Sequence, residues 1–432
     1  MNKHLPTFIL LASTVFAQTA VAQKYAGGDI SLLPSYEEHG AKYYTNDGTA
    51  ISDVLSYFKS QGWNAQRVRI FVDPSKASST AKGQGVVQDM DYVLKLAKKI
   101  KDAGFALMLD FHYSDTWADP GSQWTPDAWK EANDEVLGDS IYKYTKMVLT
   151  KLVEEGAIPD FIQTGNEISY GMDWGTSASN AKYCYPSSDA ANWTRFENLL
   201  KKATAACRET CPAAKIILHT ERVSSVKTLQ ADNAEYAALT NFYNNMKSSG
   251  IDYDVIGLSY YPYYHGDLSQ LEGAIDKLDG YGKDIMVVEA GYPAQWKING
   301  TKYDYTATYP YTEAGQKAFT DALVSMLNKH DKVKGLFWWW PEANEYGLDW
   351  STNRVTDSWY NATLFNNQTG KAFSAVSSLK DFVGNSTGIN DVTGDAKAAN
   401  NNAWYSIDGR KLNNAPANKG VYICQGKKYM VK

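Results

Sequence analysis

Short apolar runs alternate with longer amphipathic stretches through most of this 432-residue chain. Eight of the runs read as buried strands, near residues 25–30, 65–71, 105–111, 160–164, 215–219, 254–260, 284–288 and 334–339. Helical patterns lie between them. Met90, Val93, Leu94, Ala97 and Ile100 recur at helical spacing, and Gly104 stops that helix. Phe196, Leu199, Leu200 and Ala203 form a second such face. Tyr236, Leu239, Phe242, Tyr243 and Met246 form a third, and Phe319, Leu323, Met326 and Leu327 a fourth. Eight strand–helix units of roughly 45 residues each predict an α/β fold, a (β/α)8 TIM barrel with enlarged loops. The rival arrangement is a doubly wound open sheet, but no Gly-rich phosphate loop follows the first strand.

Both ends depart from this alternation. Residues 1–22 carry Lys3, an apolar run from Phe8 to Phe16 and the small-x-small triplet Ala20-Val21-Ala22. They read as a secretory signal peptide, with the mature chain starting near Gln23 and the barrel expected over 23–384. The apolar run is too short for a membrane span, and no later stretch qualifies. Residues 385–402, with a Gly384-Asn385-Ser386-Thr387-Gly388 stretch at their start and an Ala/Asn/Lys run at 396–402, read as a linker. Residues 403–432 alternate short β patterns with Asp-Gly and Gln-Gly turns, which suggests a small β-rich module.

Composition narrows the function. The net charge of −5 comes from interspersed charges of both signs, which excludes an electrostatic footprint for nucleic acid or a membrane surface. Aromatic residues make up 13% of the chain, with 13 Trp and 30 Tyr, and many fall in turn-rich segments where rings can stack on sugars. Export permits disulfides. A Cys207–Cys211 bridge, a bridge from either to Cys184, and free buried thiols all remain open.

The chemistry sits at strand ends. Glu167, in Gly165-Asn166-Glu167-Ile168, follows the fourth strand, and Glu289, in Val288-Glu289-Ala290-Gly291, follows the seventh. A carboxylate ending a buried strand is costly without a partner or a task. In a barrel, the C-terminal strand ends carry the active site. Two such carboxyls suit hydrolysis of a glycosidic bond, one as a proton donor and one as a nucleophile. Spacing alone also allows two rim salt bridges. Arg67 and Arg69 share one face of the second strand, and an arginine there is expected to orient a carboxylate such as Glu289. Asp110, His112, Asp115 and Trp117 close the third strand, His219 the fifth, Tyr260 and Tyr261 the sixth, and Trp338, Trp339 and Trp340 the eighth. Together they describe a polar, aromatic-lined cleft. His112, Asp115 and His219 lack the compact spacing of a metal site, so no cofactor is expected.

Residues 25–382 resemble glycoside hydrolase family 53, the retaining (β/α)8 arabinogalactan endo-β-1,4-galactanases. The matching segments are Gly27-Gly28-Asp29-Ile30-Ser31, Arg67-Val68-Arg69-Ile70-Phe71-Val72-Asp73-Pro74, Asp110-Phe111-His112-Tyr113-Ser114-Asp115-Thr116-Trp117-Ala118-Asp119-Pro120, Thr164-Gly165-Asn166-Glu167-Ile168, Gly257-Leu258-Ser259-Tyr260-Tyr261-Pro262, Val288-Glu289-Ala290-Gly291-Tyr292-Pro293 and Gly335-Leu336-Phe337-Trp338-Trp339-Trp340-Pro341. The third-strand motif is the specific one, whereas the Asn-Glu pair fits many glycosidases. The resemblance implies Glu167 as proton donor and Glu289 as nucleophile. It implies that Asn166, Arg69, His112, His219, Tyr261 and Trp339 line the subsite of the cleaved sugar, with Trp117 and the loop holding Asp115 on the chain beyond. The implied substrate is β-1,4-galactan of pectic side chains, cut internally by a secreted monomer.

Two features depart from the family pattern. Some bacterial relatives carry an Asp/Gly/His-rich calcium loop after the seventh strand, where this chain has Ala294-Gln295-Trp296-Lys297-Ile298-Asn299-Gly300, so calcium is not carried over. Trp340 stands where relatives often have an acidic residue. The tail from Ala403 is similar to short C-terminal modules of secreted polysaccharide-degrading enzymes, which implies sorting or surface attachment. A β-1,4-mannanase or glucanase on the same scaffold is the alternative. A non-catalytic carbohydrate-binding barrel would lack one carboxylate or the Asn-Glu pair, and this chain retains both.

Overall fold

The computed structural model describes residues 23–184, 190–224, 234–349, 351–356, 362–384, 404–406, 411–412, 420–424 and 427–431. Residues 1–22, read above as a signal peptide, and residues 385–402, read as a linker, lie outside the described residues. The chain divides into two units, Met1–Gly384 and Asn385–Lys432.

The first unit is a closed barrel of eight parallel strands. They are β1 (Tyr25–Asp29), β2 (Ala65–Ile70), β3 (Ala106–Phe111), β4 (Phe161–Thr164), β5 (Lys215–Thr220), β6 (Val255–Tyr260), β7 (Asp284–Ala290) and β8 (Val333–Trp339). Each strand pairs with its sequence neighbours, and β1 pairs with both β2 and β8 to close the ring. The strands therefore lie where the apolar runs place them. The helices that follow them are α1 (Val54–Ser60), α2 (Met90–Asp102), α3 (Asp134–Glu154), α4 (Ala190–Thr210), α5 (Ala234–Ser248), α6 (Leu268–Leu278), α7 (Glu313–Leu327) and α8 (Lys380–Val383). Side-chain caps fix several of their starts. Asp89 accepts from the Tyr92 amide at α2, and Asn133 accepts from the Val136 amide at α3.

Strand periodicity sorts the barrel interior into two levels. Ala65, Met108, Phe161, Ile217, Val255, Met286, Val288 and Phe337 meet as one apolar cluster, with one residue from each of six strands and two from β7. Alternate residues further along the same strands are polar: Arg67 and Arg69, Asp110, Gln163, His219 and Ser259. The apolar level is a dry floor. The polar level above it lies at the C-terminal mouth. The other face of each strand, with Val68, Ile70, Leu107, Leu109, Leu218 and Leu258, packs into the larger core shared with the helices.

Glu289 does not follow simple alternation. Met286 and Val288 point to the floor, so a regular strand would turn Glu289 outward with Val287. The register slips on both flanks of β7: Leu258 pairs with Val287 but Ser259 pairs with Glu289, and Leu336 pairs with Val287 but Trp338 with Ala290. This bulge at Val288–Glu289 gives two consecutive inward residues and aims Glu289 into the mouth.

The second unit is a four-stranded antiparallel sheet. Its strands are β9 (Trp404–Ser406), β10 (Lys411–Leu412), β11 (Gly420–Cys424) and β12 (Lys427–Val431), in the order β10-β9-β11-β12. Of the open cysteine alternatives, the structure takes free thiols. Cys184, Cys207 and Cys211 are unbridged and buried. Among the described residues, no helix is long and apolar enough to cross a membrane.

Candidate active site

Arg67 is the electrostatic centre of the polar level. It is fully buried on β2 and meets partners from four strands or strand ends. Its Nη1 donates to Asp29 Oδ2 at 2.9 Å, and its Nη2 donates to Asp110 Oδ2 at 2.8 Å and Asn166 Oδ1 at 2.9 Å. The same Nη2 forms an ion pair with Glu289 Oε1 at 3.0 Å. One guanidinium thus faces three carboxylates. Asp29 is shared with Arg69, whose Nη1 donates to Asp29 Oδ1 at 2.8 Å. Burial works against the charge on Asp110, but Arg67 and His112 hold it below the usual carboxylate range.

Arg69 has a different setting. Its guanidinium lies 4.7 Å from the Trp117 ring centre, 5.5 Å from Trp339 and 5.4 Å from Trp340. Its Nε and Nη2 meet no hydrogen-bond acceptor, so the tryptophan faces take the place of one. Trp339 and Trp340 stack at 5.3 Å. The arginine on Glu289 is therefore Arg67. Arg69 supports the tryptophan wall from behind and does not line the cleft.

The turn after β4 delivers Glu167. Gly165 has φ +103°, and a Cβ there would meet Ile168 Cγ2 at 2.5 Å, so glycine is required. Glu167 itself adopts φ 47°, ψ 52°, an uncommon conformation for a non-glycine residue. Neighbours fix it there. Its backbone N–H donates to His219 Nδ1 at 3.2 Å, and Gln123 Nε2 donates to the Asn166 carbonyl at 2.7 Å. Glu167 Oε1 accepts from Ser259 Oγ at 2.6 Å. Glu289 Oε2 accepts from the Tyr261 hydroxyl at 3.0 Å.

The two carboxyls differ in their donors. Burial raises Glu167 well above the ordinary glutamate range, and the charges on Glu289 and Glu221 raise it further. Burial also raises Glu289, but Arg67 and the Tyr261 hydroxyl pull it back. Glu289 therefore releases its proton first, and its charge then holds the proton on Glu167. One buried anion beside one buried acid is the division of labour that glycosidic cleavage needs.

The cleft over this pair holds about 380 Å³ and is lined by Trp117, Asn166, Glu167, Tyr261, Glu289 and Trp339, with Gln84, Asp119, Glu221, Tyr264, Lys302 and Trp340 around them. His112, His219 and Asp115 belong to its supports. His112 Nδ1 accepts from the Ala118 amide at 3.0 Å, and its Nε2 lies 3.1 Å from Asp110. His219 is fully buried beneath Glu167, and burial together with Arg67 keeps it neutral. Asp115 accepts the backbone amides of Asp73 and Asp127 at 3.0 and 2.8 Å, which ties the loops after β2 and β3 together. Asn166 donates to the Ala118 carbonyl at 2.8 Å and keeps a second amide hydrogen for a ligand.

Tyr264, one of the aromatic residues that follow the sixth strand, lines the cleft, whereas Ser259, Glu221 and Lys302 join the site without a distinguishing signal of their own in the sequence. Ser259 sits two residues before Tyr261, inside the sixth-strand motif. Glu221 lies two residues after His219, and its carboxylate accepts from Ser169 Oγ at 2.6 and 2.9 Å. Among the described residues, no three His, Cys, Asp or Glu side chains come together in a way suited to a metal ion.

Comparison with known proteins agrees in fold and sequence. Residues 25–379 match the model of Glycosyl hydrolase family 53. A probable arabinogalactan endo-β-1,4-galactanase A of Neosartorya fischeri is 31% identical, over 82% of this chain and 96% of that protein. The Ignisphaera aggregans GH53 catalytic domain superposes with a TM-score of 0.69 at 28% identity, covering 85% of this chain and 98% of its own. One of two fungal β-1,4-galactanases studied for temperature and pH optimum gives 0.66 at 26% identity, with 83% and 99% covered. The match spans nearly the whole barrel, so the chain belongs to glycosyl hydrolase family 53.

Proposed function

We propose that this glycosidase is an exported endo-β-1,4-galactanase that cuts galactan side chains of pectin internally and retains the anomeric configuration. The observation that carries the reading is the unequal carboxyl pair. Glu289 stands on Arg67 and Tyr261, while Glu167 accepts from Ser259 beside the charge of Glu289. The relative named above as a galactanase supplies the substrate class.

The reaction follows from the pair. Glu289 attacks the anomeric carbon as the glycosidic bond breaks, and Glu167 gives its proton to the leaving oxygen. Water then attacks the glycosyl–enzyme ester, Glu167 takes a proton from that water, and Glu289 departs as the carboxylate. Neutralisation of Glu289 in the ester removes the charge that raised Glu167, so the acid of the first step becomes a base for the second. The second amide hydrogen of Asn166 is suited to a hydroxyl of the cleaved sugar, and Trp117 and Trp339 offer ring faces to neighbouring sugars.

The purified enzyme should release oligosaccharides from linear β-1,4-galactan and leave β-1,4-mannan and cellulose derivatives nearly untouched. Proton NMR within the first turnovers should detect the β-anomer ahead of mutarotation. An α-anomer at first appearance would exclude retention, and faster release from mannan would move the specificity to the neighbouring activity. Export and the signal-peptide reading make a separate expectation: sequencing the mature protein from its native host should give an N-terminus near Gln23. A retained Met1 would remove the export reading.

A further inference from the structure

We propose that Ser259, oriented by His219, gives the two oxygens of Glu167 different jobs: Oε1 is held as a permanent acceptor, so the transferable proton is confined to Oε2. The inference rests on the reading of Glu167 as the proton donor and adds which of its atoms donates.

The argument is a chain of hydrogen-bond directions. The backbone N–H of Glu167 points at His219 Nδ1 at 3.2 Å, and a backbone N–H can only donate. Gln163 Nε2 reaches the same nitrogen at 3.0 Å. Asn166 Oδ1 also lies 3.1 Å from this nitrogen but already accepts from Arg67 Nη2. The backbone N–H has its hydrogen direction fixed by the chain, so it makes His219 Nδ1 the acceptor of a neutral ring and leaves the ring proton on Nε2. That Nε2 lies 2.8 Å from Ser259 Oγ, so Ser259 receives this N–H. Its own hydroxyl hydrogen then has one place to go, Glu167 Oε1 at 2.6 Å. A proton on Oε1 would face the Ser259 hydrogen head-on. The free oxygen, Oε2, is left to carry the proton in the first step and to collect it from water in the second.

The device fixes its own polarity from the backbone of the residue it serves. The turn that presents Glu167 also sets the His219 tautomer, and the tautomer sets the Ser259 hydroxyl. The same hydrogen bond favours the ionised form of Glu167. It opposes burial and the charges of Glu289 on β7, Glu221 after β5 and Asp119 after β3, with the Tyr261 hydroxyl also facing the pair. Ser259 is thus a positioning residue with a titration signature.

The test compares Ser259→Ala with the parent on two substrates. On galactan, kcat/KM should fall by about 10- to 100-fold, a fraction of what a full general acid supplies. The alkaline limb of its pH profile should move up by about 0.5–1 pH unit, because loss of a donor to the carboxylate raises the acid's pKa. Release of 2,4-dinitrophenolate from an activated aryl β-galactobioside needs no proton and should stay within about threefold of the parent in the first turnover. Ser259→Cys, which keeps a weak donor, should fall between on galactan, and it takes the place of Ser259→Ala if that variant does not fold. Equal losses on both substrates with an unmoved alkaline limb would overturn the proposal. Glu167→Gln provides the separate control: undiminished galactan turnover in that variant would remove the donor assignment itself, whatever Ser259 does.

Discussion

Glu289→Gln is expected to reduce kcat on galactan by about four to six orders of magnitude, the scale seen when a residue of a covalent mechanism is removed. The variant should still bind galactan oligosaccharides and unfold at nearly the parent temperature. Glutamine keeps the shape and still accepts from Tyr261, but it cannot form the glycosyl ester. Its neutrality has a second consequence. Without the charge on Glu289, Glu167 loses the largest of the three charges that help burial to hold its proton. Glu167→Gln should behave differently. Its loss on galactan should be large, but the first-step loss on an activated aryl galactoside should be small, because that leaving group departs unprotonated. Rapid-mixing release of the aryl group, set beside steady-state galactan hydrolysis, separates the two roles. Near-parent galactan turnover in Glu289→Gln would refute its role as nucleophile.

How much of this was legible in the sequence depends on the kind of information each feature needs. The barrel was legible because a parallel strand buried on both faces is a short apolar run, and eight such runs stand out between helical faces. Helix α3 was not singled out. Leu137, Ile141, Val148, Leu149 and Leu152 form its buried face, but Thr145 interrupts that face and the exposed Val136, Met147 and Val153 blur its edge. The two glutamates were legible as charges at the ends of buried strands. Their orientation was not. Alternation turns Glu289 outward, and only the bulge beside Val288, a three-strand property, brings it in. The division between Arg67 and Arg69 was equally hidden. Both point inward from β2, but Arg67 pairs in register with Asp29 and Arg69 with Asp110, one step higher towards the tryptophans. Height in a barrel follows from strand stagger, which no single strand encodes. Ser259 was hidden for a simpler reason: a lone serine in an apolar strand carries no pattern, and its role comes from the histidine on the neighbouring strand β5.

The same height difference sets the largest expected effect on stability. Arg67→Met should destabilise the barrel by about 3–5 kcal/mol, the cost of leaving buried charges without their partner. Asp110, Asp29 and Glu289 all lose their shared cation, and the methionine fills the space without supplying a donor. In a unit of this size the midpoint of thermal unfolding should drop by about 5–10 °C. The pH dependence fixes the cause. Arg67 holds Asp110 below its unfolded pKa, so this share of stability is present above that unfolded value and is lost as pH falls through the folded one. In the variant, burial is left unopposed by Arg67, and the carboxyls should titrate upward. The destabilisation relative to the parent should then shrink as pH falls through the acid range, because protonated carboxyls need no cation. Arg69→Met is the matched comparison. Asp29 would still hold Arg67 at 2.9 Å, so the loss should be smaller and nearly flat with pH, and it should fall instead on the tryptophan wall and the KM for galactan. Thermal melts of both variants from pH 4 to pH 8, about the span over which such carboxyls titrate, would decide the matter. Equal losses with equal pH dependence would mean that the two arginines share the carboxylates, against the separate roles argued for them.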